Sequence, residues 1–263
     1  MTDKLSPEFG LTAADYAAHR AGFPAELMHR LHRRGIGLSG QRVLDLGAGT
    51  GALGRLFARA GAEVTGLDRS EALLAQAAQL DAREGLGTAY RAASAEDTGL
   101  PDASFDVVAA GQCWHWFDAA RAAREARRLL RPGGHVVIAH FDMLPLPGNL
   151  VEATERLVRE ANPAWTLYGS TGLYPRWLTD LAVAGFTGIE TFSFDVEVPY
   201  TPEAWRGRMR ASAGVGASLP PEGVERFDAE LACTLSERFP GAELRVPHRT
   251  WAALAIPPAG DGS

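Results

Sequence analysis

Between residues 42 and 140 short apolar runs alternate with helical patterns, and this regular alternation limits the fold more than any other feature of the chain. "RVLDLG" reads as a first strand. "GALGRLFARAG" follows as a helix, with Leu53, Leu56, Phe57 and Ala60 at i, i+3, i+4 and i+7. "AEVTGLD" is a second strand, and "SEALLAQAAQLDAREG" a second helix that Ser70 is placed to cap and Gly85 to end. "TAYRAA", "FDVVAAG" and "GHVVIAHF" supply a third, fourth and fifth strand. Alternation of this kind is expected of a parallel sheet covered by helices on both faces.

Beyond residue 141 the rhythm changes. After the Pro-rich "MLPLPG", residues 149 to 161 form an amphipathic pattern through Leu150, Ala153, Thr154, Leu157, Val158 and Ala161. "NPAWTLYGSTGLYPRW" then has no periodicity, and an aperiodic segment of that length inside a domain is more often functional than not. "FTGIETFSFDVEVPY" reads as a strand and 222 to 239 as a helix with Val224, Phe227, Leu231, Leu235 and Phe239 on one stripe. "RTWAALAI" is a closing strand. The expected fold class is α/β, a doubly wound, mostly parallel seven-stranded sheet. No internal repeat or linker interrupts the 263 residues, so 1–263 reads as one domain, with 257–263 a disordered tail.

Charge excludes some functions. With a net charge of −6 there is no broad basic face for nucleic acid and no polybasic run for a membrane surface; the one basic cluster, "HRLHRR" at 29 to 34, reads as the solvated face of a helix. No apolar stretch approaches the roughly 18 residues that span a bilayer, and "MTDKLSPEFG" lacks the apolar core of a secretion signal. A cytoplasmic location is expected. Cys113 and Cys233 form no disulfide framework and no ligand spacing, so no metal is expected.

The strongest chemical signal is "VLDLGAGTG", where Gly47, Gly49 and Gly51 follow the first strand and open the first helix. Glycines there permit a tight turn and let a ligand approach backbone N–H groups. Asp68 ends the second strand, where a carboxylate can accept both hydroxyls of a ribose. Read as G-x-G-x-x-A the loop is a dinucleotide fingerprint, but Asp45 lies two residues before the first glycine. A carboxylate there is costly beside a diphosphate and helpful beside a cation.

The loop resembles motif I of class I S-adenosylmethionine-dependent methyltransferases. "AASAEDTGLPDASFDVVAAGQCWHWFD" and "EARRLLRPGGHVVIAHF" resemble the later motifs of a branch similar to trans-aconitate methyltransferases and the type 11 methyltransferases, and "ADYAAHRAGFPAEL" resembles its opening helix. The resemblance covers roughly residues 12 to 140. It implies S-adenosylmethionine as cofactor, S-adenosylhomocysteine as product, and a cofactor-binding half at 12–140. A helical lid and acceptor side would follow strand 5 at 141–185, with C-terminal strands and helices at 186–256. Residue by residue it implies Asp45, Gly47, Ala48, Gly49 and Gly51 around the methionine portion, Asp68 on the ribose and Arg69 against the adenine. Ala95 and Glu96 would edge that ring, Gly111 and Gln112 would lie near the amino-acid end, and Tyr16 and Arg20 belong to the opening helix. Many relatives carry an aspartate where this chain has Ser94, so Glu96 either replaces that contact or faces solvent.

"GQCWHWFD" ends the fourth strand at the rim where open α/β sheets bind ligands. Methyl transfer from a sulfonium needs positioning and water exclusion above all, and only an acceptor that must lose a proton needs a base. His115 is the candidate base, or else a residue that lines the site. Trp114 and Trp116 alternate if the strand continues, leaving one for the pocket and one for the core. Asp118 reads as a helix cap and Cys113 as a buried structural thiol. Trp165, Tyr168 and Tyr174 are candidate acceptor contacts; Trp177 is a packing residue. Arg20, Arg176 and the arginines of "AWRGRMR" could hold an anionic acceptor. The expected function is methyl transfer to oxygen, nitrogen or carbon of a small molecule. Its alternatives are a nicotinamide-dependent oxidoreductase and an adenosylmethionine-binding protein without catalysis. The oligomeric state is not legible.

Overall fold

A computed structural model describes residues 21–258. In chain order the elements are α1 (Ala25–His32), β1 (Arg42–Leu46), α2 (Ala52–Arg59), β2 (Glu63–Asp68), α3 (Glu71–Glu84), β3 (Ala89–Ala92) and β4 (Phe105–Gly111). A short 3₁₀ turn (Trp114–Trp116), α4 (Ala119–Leu129), β5 (Leu130–Met143), α5 (Leu150–Ala161) and α6 (Arg176–Val183) follow. The last are β6 (Thr187–Tyr200), α7 (Pro202–Arg210), α8 (Pro221–Arg238) and β7 (Leu244–Ile256). The opening helix expected around Tyr16 and Arg20 lies outside the described residues, as does most of the tail.

Helix ends follow local chemistry. The Ser70 hydroxyl accepts the Leu73 N–H, and Gly85 closes α3 in the left-handed conformation that costs glycine least. Asp118, Asn149 and Thr201 cap α4, α5 and α7 through the N–H groups of Arg121, Glu152 and Ala204.

The seven strands lie in the order β3-β2-β1-β4-β5-β7-β6. β1 pairs in parallel with β2 and β4, β2 with β3, and β4 with β5. The order therefore reverses beside β1, the switch point where the connections on either side diverge and leave a crevice at the carboxyl ends of the strands. Register places Asp45 level with Gly66 and Ala109, and Gly111 level with Ala139, so the chemistry-bearing ends lie along one edge.

The described chain divides into two compact units. Residues 22–141, 174–194 and 250–258 form one, and residue 21 with 142–173 and 195–249 the other. The first is built on the sheet, with Leu44, Leu46, Val108, Ile138, Leu181 and Trp251 in its core. Residues 174–185, expected with the lid, belong to this unit, and α6 buries Trp177 and Leu181 in it. The second is a helical cluster around Trp205, whose indole donates to the Thr154 hydroxyl at 3.1 Å. The basic face of α1 is not wholly solvated. Arg30 and Arg34 lie over Phe194 and Phe192, at 4.5 and 5.1 Å from the ring centres, and Arg34 reaches Glu190. Cationic heads thereby cover rings that an edge strand leaves exposed. Among the described residues no helix is long and apolar enough to cross a membrane, and no cluster of His, Cys, Asp and Glu could hold a metal.

Candidate functional site

The glycine loop is held open by its own hydrogen bonds. The Ala48 N–H donates to the Leu67 carbonyl and the Gly51 N–H to the Ala48 carbonyl, which turns the chain from β1 into α2. Gly51 has φ +79° and no room for a side chain, since a Cβ would stand 2.6 Å from the Tyr90 hydroxyl. Gly49, at φ +55°, is its opposite: a Cβ there meets nothing within 4 Å, so this backbone can be approached closely. Beneath the loop Arg55 donates to Asp81 at 2.7 Å and to the Thr50 carbonyl at 2.8 Å, while the Tyr90 hydroxyl takes the other Asp81 oxygen. This buried, fully bonded network makes the loop rigid.

Asp45 is 1% exposed. One carboxylate oxygen accepts the Gly54 N–H at 2.8 Å; the other, Oδ1, is buried with no hydrogen-bond partner. Burial pushes its pKa up to about 7, opposed by the Gly54 N–H and assisted by the negative charge of Asp68. A buried acid left half-bonded is expensive unless something cationic arrives to share it. Asp68, at the end of β2, accepts the Gly49 N–H on one oxygen and the Ser70 N–H on the other, both at 2.9 Å. Those bonds fix its orientation at the loop and leave further lone pairs for hydroxyl donors. Arg69 beside it is exposed.

The loop after β3 gives Glu96 a bonded setting. The Ser94 hydroxyl donates to one of its oxygens, and the Asp118 N–H to the other at 2.9 Å. Glu96 therefore ties this loop to the start of α4 rather than simply facing solvent. Ala95 is buried in the sheet core.

At the end of β4 the expectation of a continuing strand fails. Gln112 adopts φ +62°, its N–H donates to the Ala139 carbonyl and its side-chain amide to the Phe141 carbonyl, and the chain enters the 3₁₀ turn. A non-glycine residue in the left-handed region costs energy and is held there only by such over-determined contacts. The turn, rather than strand alternation, then sorts the aromatics. Trp114 is 1% exposed and donates its indole N–H to Asp180 at 3.2 Å, which places it in the core instead of the expected pocket. Cys113 is buried under the loop with its thiol 3.1 Å from the Leu46 carbonyl.

His115 and Trp116 are half-buried, with ring centres 4.5 Å apart, and His115 meets His140 at 5.4 Å. His140 in turn contacts Tyr174 at 4.4 Å and Trp177 at 4.7 Å, and Tyr174 stacks on Trp177 at 4.0 Å. His140 is the residue that sequence reasoning passed over. Its signal is a lone imidazole near the carboxyl end of the otherwise apolar "VVIAHF". Tyr174 thus joins His115 within the sheet unit, whereas Trp165 and Tyr168 belong to the helical unit. Trp165 lies over Gly214 and donates to the Leu167 carbonyl, and Tyr168 lies under the Arg159 guanidinium. Tyr16 and Arg20 lie outside the described residues.

Residues 44–138 match the family described as "Methyltransferase domain". An uncharacterized methyltransferase of Mycobacterium tuberculosis is 37% identical over 161 residues, 60% of this chain and 62% of that protein's own length. A solved structure from Anaeromyxobacter dehalogenans, provisionally named a type II methyltransferase, shares 25% identity and superposes with a TM-score of 0.63 over 90% of this chain and 99% of its own. Phosphoethanolamine N-methyltransferase 2 of Haemonchus contortus, solved with phosphomonomethylethanolamine and S-adenosylhomocysteine, shows the same fold at 21% identity. Its TM-score is 0.56, over 93% of this chain and 57% of that one.

Proposed function

We propose that the protein is a class I methyltransferase that transfers a methyl group from S-adenosylmethionine to a small-molecule acceptor, a reading that the match of residues 44–138 to the methyltransferase-domain family supports. One observation carries the reading: a buried Asp45 with one unpartnered oxygen stands under a glycine loop whose Gly49 backbone is open to approach. A cationic ligand fits that arrangement, because it returns to Asp45 the ionised state that burial resists. A pyrophosphate would raise its cost further.

S-adenosylmethionine, when bound, supplies a methyl group on a positively charged sulfur that a nucleophile displaces in line. Gly47, Ala48, Gly49 and Gly51 then line the methionine portion, the open Gly49 backbone letting it come close. Asp68 accepts the ribose hydroxyls, its carboxylate already oriented by Gly49 and Ser70. Arg69 and Ala95 flank the adenine, with Glu96 holding the Ala95 loop to α4 rather than reaching the ring. Gly111 and the strained Gln112 mark the amino-acid end. His115 takes a proton from the acceptor or orients it, with Trp116 and Tyr174 excluding water beside it.

Titration calorimetry with S-adenosylmethionine, S-adenosylhomocysteine and NAD tests the reading. Both adenosyl ligands are expected to bind at one site; tight NAD binding with neither adenosyl ligand bound would overturn it. Labelled-methyl transfer into small acids, amines and phenols tests catalysis, and silence across such a panel with intact cofactor binding would instead favour a binding protein.

A further inference from the structure

Helix α6 carries one acidic group on its packed side. Trp177, Asp180 and Leu181 fall at i, i+3 and i+4 and share a face of the helix, where Trp177 and Leu181 are buried in the sheet core. A carboxylate on such a face is costly unless it is hydrogen-bonded. Asp180 is half-buried, and it accepts the indole N–H of Trp114 at 3.2 Å. Trp114 is 1% exposed, so its donor is poorly served by water if this acceptor is lost.

The bond reaches further than Trp114. The Trp114 ring meets Phe117 edge to face at 5.9 Å, and the Phe117 N–H donates to the Trp114 carbonyl at 3.2 Å. Phe117 in turn closes against the glycine loop: Gly47 has φ +66°, and a Cβ there would stand 2.9 Å from the Phe117 Cζ. Asp180, Trp114, Phe117 and Gly47 are thus successive neighbours within the sheet unit, running from α6 to the turn between β1 and α2.

We propose that Asp180 is a positioning residue for the cofactor: by holding Trp114 it seats Phe117 against Gly47 and keeps the glycine loop in its binding shape. The inference rests on the methyl-transfer reading and adds to it a residue that touches no part of the loop itself. A charged acceptor holds the indole more firmly than a neutral one would. Close packing then passes any shift of the indole to Phe117 and on to Gly47, because no slack lies between them.

The test is titration calorimetry of the full chain with S-adenosylhomocysteine at pH 7.5, beside urea unfolding of each variant. Asp180→Ala is expected to weaken binding about ten-fold. Asp180→Asn keeps an oxygen for the indole and should bind within about two-fold of wild type. Trp114→Phe removes the donor and should lose about as much as Asp180→Ala, and the two together little more than either alone. Thr154→Val is the control for a merely structural role. It takes the acceptor from another buried indole, that of Trp205 in the helical unit, and should lower stability while leaving the affinity unchanged. The proposal falls if Asp180→Ala binds like wild type, if Asp180→Asn binds as weakly as Asp180→Ala, or if Thr154→Val weakens binding equally. Should Trp114→Phe not fold, those three variants decide alone. A wild type that binds no S-adenosylhomocysteine would instead remove the methyl-transfer reading and this inference with it, so the two failures are told apart.

Discussion

Asp45→Asn should make the ligand-free protein more stable at high pH. Asp45 ionises near 7 in the folded chain against an ordinary 3.8, a separation of about three units, each worth about 1.36 kcal/mol. The folded state holds this proton more tightly than the unfolded state. Stability therefore falls as pH rises from about 4 to about 7 and levels off above that. Ionisation costs roughly 1.6 kcal/mol at pH 5 and roughly 4 kcal/mol at pH 8, so about 2.5 kcal/mol of folding stability is lost between them at this residue. Asn cannot ionise and keeps an acceptor for the Gly54 N–H. Its amide replaces the unpartnered Oδ1 with an unpartnered donor, at a cost of about 1–3 kcal/mol that is the same at both pH values. The diagnostic quantity is thus the change in the difference between variant and wild type. Urea unfolding at pH 5 and pH 8 should show Asp45→Asn gaining about 2.5 kcal/mol on wild type between the two. A difference that stays constant with pH would refute the claim that Asp45 is a destabilised acid awaiting a cation. The same substitution should weaken S-adenosylmethionine binding at pH 8.

Other perturbations probe the surrounding parts. Gly51→Ala forces a side chain to φ +79° and within 2.6 Å of the Tyr90 hydroxyl; denaturant unfolding should show a loss of about 2–4 kcal/mol, and an unchanged midpoint would mean the loop is softer than its contacts indicate. Arg55→Met leaves the Asp81 carboxylate buried without its cation and should cost about 3–5 kcal/mol at pH 7, against little change if water replaces the guanidinium. For His115→Ala, turnover on an acceptor that must lose a proton should fall about 10²–10⁴-fold, with the calorimetric affinity for S-adenosylhomocysteine nearly unchanged. Undiminished turnover would take His115 out of the reaction.

The strand and helix order was legible because it rests on signals that act over a few residues. Ser70, Asp118 and Gly85 cap helices through neighbours three or four positions away, and the glycine loop with Asp45 and Asp68 lies at the ends of two consecutive strands. Where local pattern met a local surprise it misled. The alternation expected for Trp114 and Trp116 was broken by Gln112, whose left-handed backbone depends on carbonyls of Ala139 and Phe141 in another strand.

By itself, then, the sequence determined the α/β class, the doubly wound sheet and the position of the loop at its switch point. Tertiary structure alone decided which polar groups were left wanting a partner. Trp114 finds Asp180 sixty-six residues away, His140 meets His115 through the pairing of β4 with β5, and Arg206 finds Asp228 on another helix, twenty-two residues away. Periodicity and capping are properties of adjacent residues, whereas the satisfaction of a buried charge depends on what the rest of the chain brings to it.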